Sequence, residues 1–292
     1  QIVVDLVKPD HGKVLTMTPA YGFFLHACEY NGVELVTSPL RKVEGWFEMD
    51  WEDFRRKVAD PAVRVLMLCN PHNPTGHVWS KEEMIAVVEL CDKYGMLICS
   101  DEIWADLVMN GNVQTPTQEV SEDAKMRTIA MYAPSKTFNL AGLQGSYSVC
   151  WNPAMKARVA KAAVASHYNA ANVLSVHAAI GAYNGDEGAQ YVDAMNAYIR
   201  ESQIWLKKEL ETNIPGLRIH LPDATYLLWV NFEDYCKQKG CEFQEVLDKV
   251  TAKGVIPNDG RTFHGATHLR LNLACPRSQV EECAKRMIEA LA

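Results

Sequence analysis

The sequence predicts an α/β protein in which a mostly parallel sheet is covered by helices, followed by a smaller α+β domain at the C-terminal end. Apolar runs of strand length alternate with helical patterns through residues 1–186, a rhythm that favours parallel crossovers. The run 63–69 is almost entirely apolar, as expected of a strand that is buried on both faces. After Pro215 and Gly216 the rhythm changes. We therefore place a large domain at 1–186 and a small domain at 187–292.

Each element of the large domain has its own signal. Strands are predicted by short apolar runs over residues 13–17, 33–36, 63–69, 96–100, 128–132 and 145–150. Helices are predicted over residues 23–30, 50–58, 80–94, 152–166 and 172–183. Asp50 and Asn152 are placed as N-caps, and Ser80 with Glu83 has the spacing of a capping box. Residues 1–8 are predicted to be the end of a helix that begins upstream.

The small domain begins with a long amphipathic helix over residues 188–213, which Pro215 and Gly216 terminate. Strands are then predicted over residues 217–221, 225–232 and 268–274, and helices over residues 243–253 and 279–291. Ser278 with Glu281 is predicted to cap the last helix.

The composition excludes several classes of protein. The 292 residues carry 29 basic and 36 acidic side chains, a net charge of -7, without a block of like charge, so we expect no nucleic-acid partner. No apolar run approaches the roughly 20 residues needed to cross a bilayer, and the first residues are not a signal peptide. We therefore expect a cytoplasmic protein with no membrane partner. The nine cysteines show no C-x-x-C spacing and the histidines are scattered, so we expect no disulfide framework and no metal.

Polar side chains follow three of the predicted strands at the point where each strand ends. These are residues 70–76, the pair Asp101 and Glu102, and the pair Ser135 and Lys136. Ligands of open α/β sheets bind beyond the carboxyl ends of the strands, so an amide, an acid and an amine are expected to meet in one crevice. From its own segment Lys136 is either a solvated loop charge or an amine that forms a Schiff base with an aldehyde cofactor. The sequence has neither G-x-G-x-x-G nor a G-K-[ST] phosphate loop.

Four segments occur in a familiar order: Asn-Pro-His-Asn-Pro-Thr-Gly at 70–76, Ser-Asp-Glu-Ile at 100–103, Ser-Lys-Thr-Phe-Asn at 135–139 and Leu-Arg-Leu-Asn at 269–272. Together they resemble the class I/II aminotransferase family of pyridoxal-phosphate enzymes. The resemblance covers essentially the whole chain and implies the fold type I large domain of those transferases. Residues 142–144 and 270–277 most resemble the cystathionine beta-lyase or C-S lyase branch.

The resemblance assigns a role to five residues. Lys136 would bind pyridoxal 5'-phosphate covalently and move the Cα proton, and Asp101 would face the pyridine nitrogen. Asn73 would donate to the phenolic oxygen, Tyr21 would stack on the ring, and Arg270 would bind the substrate carboxylate with its planar fork. Simpler alternatives are a helix N-cap for Asp101, a turn asparagine for Asn73, a core tyrosine for Tyr21 and an exposed strand arginine for Arg270.

Some positions depart from the family pattern. Ser135 and Trp104 would also contact the cofactor, but Trp104 stands where relatives have tyrosine or histidine, and an indole cannot accept a proton. Gln144 replaces an arginine that holds the phosphate in many relatives, and Ala133 replaces a serine. We also expect that about the first quarter of the family's chain precedes Gln1, that the fragment alone binds cofactor weakly, and that the protein is a homodimer.

Three functions are compatible with these residues. The branch resemblance favours a carbon-sulfur β-lyase acting on cystathionine or related cysteine thioethers. Transamination between an amino acid and a keto acid would use the same lysine and aspartate. The third is a ligand-sensing domain without catalysis, because a fold does not by itself imply a function.

Overall fold

The computed structural model describes residues 12–43, 46–168 and 170–292. Its largest element is a six-stranded sheet in the order β2-β1-β5-β6-β7-β8. Neighbouring strands are parallel except for the antiparallel pair β7 and β8. The strands are β1 Lys13–Thr18, β2 Leu35–Pro39, β5 Val63–Cys69, β6 Leu97–Asp101, β7 Thr128–Tyr132 and β8 Tyr147–Cys150, while β3 Arg41–Val43 and β4 Trp46–Glu48 form a separate hairpin. The predicted α/β class is confirmed.

Apolar side chains cover both faces of this sheet, and they alternate along each central strand as the pleat requires. On β5, Leu66 and Leu68 belong to one buried cluster, whereas Val65, Met67 and Cys69 belong to another. Burial on both faces explains why the run is nearly free of polar residues. The helices of this part of the chain are α1 Gly22–Glu29, α2 Trp51–Val58, α3 Lys81–Lys93, α4 Glu122–Arg127, α5 Pro134–Thr137, α6 Pro153–Ala165 and α7 Val173–Tyr183.

The C-terminal part of the chain builds a second sheet, which is antiparallel and has the order β11-β12-β10-β9. Its strands are β9 Arg218–Ile219, β10 Leu227–Asn231, β11 Asn258–Asp259 and β12 His268–Asn272. Its helices are α8 Asp186–Asn213, α9 Glu233–Lys239, α10 Phe243–Ala252 and α11 Arg277–Leu291. These elements share a buried apolar cluster of their own, as the predicted small α+β unit requires. The division of the chain at residue 186 stays a prediction.

The predicted helix caps are confirmed at three positions and wrong at one. Asp50 and Asn152 accept hydrogen bonds as N-caps, and Ser80 forms a capping box with Glu83. Ser278 does not cap α11, because the helix begins earlier, at Arg277, after a proline that offers no side-chain cap. The helix predicted over residues 1–8 lies outside the described residues. Within the described ranges, no helix is long and apolar enough to cross a membrane, and no group of three or more potential metal ligands comes together.

Candidate active site

The carboxyl ends of β5, β6 and β7 meet at one small cavity of about 140 Å³. The loop after β5 brings Asn73, β6 ends at Asp101, and the chain after β7 brings Lys136. The second sheet closes the cavity from the other side with β12. The lining residues are Tyr21, Asn73, Asp101, Ile103, Trp104, Lys136, Tyr226, Leu227, Arg270 and Asn272.

The cavity therefore brings together all the site residues predicted from the sequence except one. Ser135 is half-buried and does not line it. Gln144 is exposed, with a left-handed φ of 51°, and also lies outside the lining. Sequence reasoning missed Tyr226 as a site residue. Asn272 was detectable, because it shares a strand face with Arg270 in the period-two pattern.

Lys136 lies in the single helical turn α5, which Pro134 opens at its first position. Its Nζ atom is 5.7 Å from the centroid of the Trp104 ring, a cation-π arrangement that keeps the amine at the cavity wall. The next residue, Thr137, donates to Asp106 Oδ2 at 2.8 Å, and Tyr183 donates to the same oxygen at 2.7 Å. These two bonds fix the turn that carries the lysine.

Asp101 is a buried carboxylate that faces the cavity with 7% of its surface exposed. Its Oδ1 accepts one hydrogen bond, from the backbone N-H of Ile103 at 3.2 Å. Burial raises the pKa of Asp101 to about 6, although the Ile103 N-H and the charge of Lys136 oppose the rise. The short 3-10 turn Ala105–Leu107 has Trp104 at its cap position, so the alternative of Asp101 as a helix N-cap is not what this structure has.

Arg270 lies across the cavity on β12 and is held by two neutral amides. It donates from Nη1 to Asn73 Oδ1 at 2.9 Å and from Nη2 to Asn258 Oδ1 at 2.8 Å. Its guanidinium carbon sits 4.4 Å from the centroid of the Phe263 ring. Burial lowers the pKa of Arg270, and within the described ranges no carboxylate pairs with it. The geometry leaves a positive charge aimed at the cavity and ready for an anion.

Two aromatic rings complete the walls. Tyr21 precedes α1 and packs edge-on against Phe24 at a centroid distance of 6.0 Å. Burial raises the pKa of its hydroxyl, and the charge of Asp101 adds to the rise. Trp104 is 5% exposed and meets Tyr226 edge-on at 4.7 Å. The site thus combines an amine, a buried acid, an amide, a guanidinium and aromatic surface around a space large enough for a small ring compound.

Comparisons with known proteins show the family of the chain. The model of the family described as aminotransferase class I and II matches residues 2–287. Cystathionine beta-lyase PatB of Bacillus subtilis is 32% identical over 283 residues, covering 96% of this chain and 72% of its own. The structure of the pyridoxal-phosphate-bound C-S lyase from Staphylococcus hominis has a TM-score of 0.89 at 32% identity, covering 99% of this chain and 74% of that one.

A further structure extends the likeness at lower identity. Cystalysin from Treponema denticola, which contains a pyridoxal 5'-phosphate cofactor, has a TM-score of 0.92 at 27% identity and covers 99% of this chain and 74% of that one. With a family model that matches nearly the whole chain and a relative above 30% identity, the protein belongs to the class I and II aminotransferase family.

Proposed function

We propose that this chain is a pyridoxal-phosphate-dependent carbon-sulfur β-lyase, which converts cystathionine or a related cysteine thioether with water into a thiol, pyruvate and ammonia. The observation that carries the proposal is the meeting of Lys136, Asp101 and Arg270 at one cavity. The named relatives among C-S lyases support the choice of reaction.

The residues around the cavity fit pyridoxal 5'-phosphate. Asp101 is a buried carboxylate with a single hydrogen bond among the described residues, so it suits the protonated nitrogen of a pyridine ring. The carbonyl oxygen of Asn73 is taken by Arg270, which leaves its amide hydrogens for the phenolic oxygen. Tyr21 and Trp104 supply aromatic surface to the cavity wall. The assignment of Ser135 rests on the resemblance alone.

When bound, the cofactor supplies an electron sink for the carbanion at Cα. Lys136 would hold the cofactor, and its amine, once free, would take the Cα proton, since its Nζ is at the cavity wall beside Trp104. Arg270 binds the substrate carboxylate and thereby orients the Cα-H bond towards the lysine. Asn73 keeps the guanidinium in that orientation through the 2.9 Å hydrogen bond.

Transamination between an amino acid and a keto acid is the alternative, and the name of the matching family supports it. It would use Lys136, Asp101 and Arg270 in the same places and differ in where the lysine returns the proton. Incubation of the chain and pyridoxal 5'-phosphate with cystathionine, and separately with an amino-acid and keto-acid pair, distinguishes the two reactions. We expect pyruvate and thiol from the first mixture and little new amino acid from the second.

The Lys136→Ala variant tests the site itself, because it removes the amine on which both reactions depend. Its turnover should fall to background, whereas Lys161→Ala, an exposed lysine on α6, should match the parent. Turnover that survives in Lys136→Ala would refute the assignment of the lysine. New amino acid without pyruvate would refute the lyase in favour of the transferase.

We further propose that the protein is a cytoplasmic homodimer with a small-molecule amino-acid substrate and no nucleic-acid partner. Helix α7 exposes several large apolar side chains, between 43% and 64% of each, and Tyr183 at its end contacts Asp106 beside the site. Such a face suits a second copy of the chain. Light scattering should give twice the chain mass, Leu174→Glu should halve it, and Val113→Glu, in an exposed loop, should not. A parent of single-chain mass would contradict the dimer.

A further inference from the structure

Glu102, the residue after the ring-facing aspartate, is a second buried carboxylate that the proposed reaction does not use. It is 1% exposed, and both of its oxygens accept hydrogen bonds. Oε1 accepts from Ser100 Oγ and from the backbone N-H of Thr117, each at 2.9 Å. Oε2 accepts from Gln114 Nε2 at 3.1 Å and from the Tyr132 hydroxyl at 2.7 Å. Among the described residues no basic side chain pairs with it, so neutral donors alone satisfy it.

Of these four donors, the Tyr132 hydroxyl lies on the neighbouring strand β7. Tyr132 is the last residue of β7, four positions before Lys136, whereas Glu102 directly follows Asp101 at the end of β6. The backbone pairing of the two strands stops where the N-H of Glu102 donates to the carbonyl oxygen of Met131 at 3.0 Å. The contact between Glu102 and Tyr132 therefore continues the link between the strands beyond the last backbone bond.

We propose that Glu102 is a positioning residue that, through the Tyr132 hydroxyl, sets the spacing between Asp101 and Lys136. This inference rests on the proposed function, since it concerns the carboxylate that faces the cofactor ring and the amine that moves the proton. The two groups flank a cavity of only about 140 Å³. In such a site a displacement on the order of 1 Å can slow a reaction by about a hundredfold.

The structure offers a matched pair of variants, because two side chains donate to the same oxygen of Glu102. Tyr132→Phe removes the donor on the strand that leads to the lysine. Gln114→Met removes the donor on a loop that carries no residue of the site. Both changes leave one fewer donor on Oε2, so both should lower the melting temperature by similar amounts. Only Tyr132→Phe removes a side-chain hydrogen bond that connects the end of β6 to β7.

The experiment uses the chain loaded with pyridoxal 5'-phosphate. For Tyr132→Phe we expect kcat to fall by roughly tenfold with little change in KM, and the pH midpoint of the cofactor's visible absorption to shift. For Gln114→Met we expect the parent's kcat and midpoint. The variant Glu102→Gln, which keeps the shape and can still accept from Thr117, should shift the midpoint in the same way as Tyr132→Phe.

The outcomes separate this inference from the proposed reaction. If both single-donor variants keep the parent's midpoint, or if both lose activity in step with their melting temperatures, Glu102 is only structural and the inference is overturned. If the parent forms no pyruvate but Tyr132→Phe and Glu102→Gln shift the midpoint while Gln114→Met does not, the reaction is wrong and the positioning role stands. A parent that gives no visible band of bound cofactor even at saturating pyridoxal 5'-phosphate would overturn both.

Discussion

Arg270 donates from Nη1 to the side-chain oxygen of Asn73 at 2.9 Å, so the antiparallel sheet touches the loop that follows β5 in the parallel sheet. The contact joins residues 197 positions apart. The second hydrogen-bond partner of Arg270, Asn258, is also a neutral amide. A guanidinium that is oriented by amides and pairs with no acid among the described residues keeps its charge for a ligand. The two amides hold the Arg270 guanidinium in place, as the proposed binding of a substrate carboxylate requires.

Replacing Arg270 with lysine tests whether the guanidinium binds the substrate carboxylate. Lysine keeps the charge but loses the planar fork, so it cannot bind two carboxylate oxygens and Asn73 together. We expect kcat/KM for the thioether substrate to fall by roughly thirtyfold, which corresponds to about 2 kcal/mol. Steady-state kinetics with pyruvate detection measures the change.

The control is the same substitution at an exposed arginine. Arg286 on α11 donates to Glu282 at 2.8 Å and lies outside the cavity. Arg286→Lys should stay within about twofold of the parent, since exposed ion pairs contribute little. Equal kinetics for the two lysine variants would show that Arg270 does not bind the carboxylate.

The strand ends of the site could be predicted because their signals are local. The apolar run of β5 has the length and the flanking turn of a buried parallel strand, and Asp101 and Lys136 each follow such a run. Parallel strands put their carboxyl ends on one edge, so the meeting of these groups followed from topology. The period-two alternation of a strand also puts Asn272 on the same face as Arg270.

Contacts across long sequence separations could not be predicted. Nothing local to Tyr226 indicates that it reaches Trp104, and the bond between Asn73 and Arg270 depends on how two sheets pack. The prediction that Ser278 caps α11 was wrong for a related reason. Its spacing to Glu281 matches a capping box, but the backbone already turns at Pro276, whose carbonyl oxygen accepts from Gln279 N at 2.9 Å. Where a helix starts depends on where the chain enters it.

Replacing Asp101 with asparagine should stabilise the cofactor-free protein at neutral pH. Burial raises the pKa of Asp101 to about 6, so between about pH 4 and 6 the folded state holds this proton more tightly than the unfolded chain. The free energy of unfolding therefore falls as the pH rises through that window, by about 3 kcal/mol in all. Asparagine avoids this cost, and its advantage should vanish near pH 4. Urea unfolding across this pH range measures it.

An aspartate with the opposite shift provides the control. Burial alone would raise the pKa of Asp53, but hydrogen bonds from Lys57 and Ser38 lower it below its usual range. The ionised form therefore stabilises the fold above the unfolded pKa, and this contribution is lost as the pH falls. Asp53→Asn should be less stable than the parent at pH 7. If Asp101→Asn is destabilised at pH 7 as well, then the buried carboxylate is not an energetic cost.

The loop that carries Asn73 depends on Gly76, which has a φ of +74°. A Cβ atom at this position would lie 2.3 Å from Pro222 Cβ and 2.7 Å from the carbonyl oxygen of Ala224. Gly76→Ala therefore combines an unfavourable left-handed conformation with a clash against backbone. We expect it to cost more than about 3 kcal/mol of stability and to weaken cofactor binding, because the displaced loop moves Asn73.

Gly95 provides a control that separates the cost of the left-handed conformation from the cost of the clash. It has a φ of +65°, but a Cβ atom there meets no other atom within 4 Å. Gly95→Ala should cost only about 1 kcal/mol, the penalty of the left-handed conformation alone, and should bind cofactor like the parent. Urea unfolding and cofactor titration of both variants measure these differences. Equal losses of stability would mean that the loop can move away from Pro222 and that its position is not what holds Asn73 against Arg270.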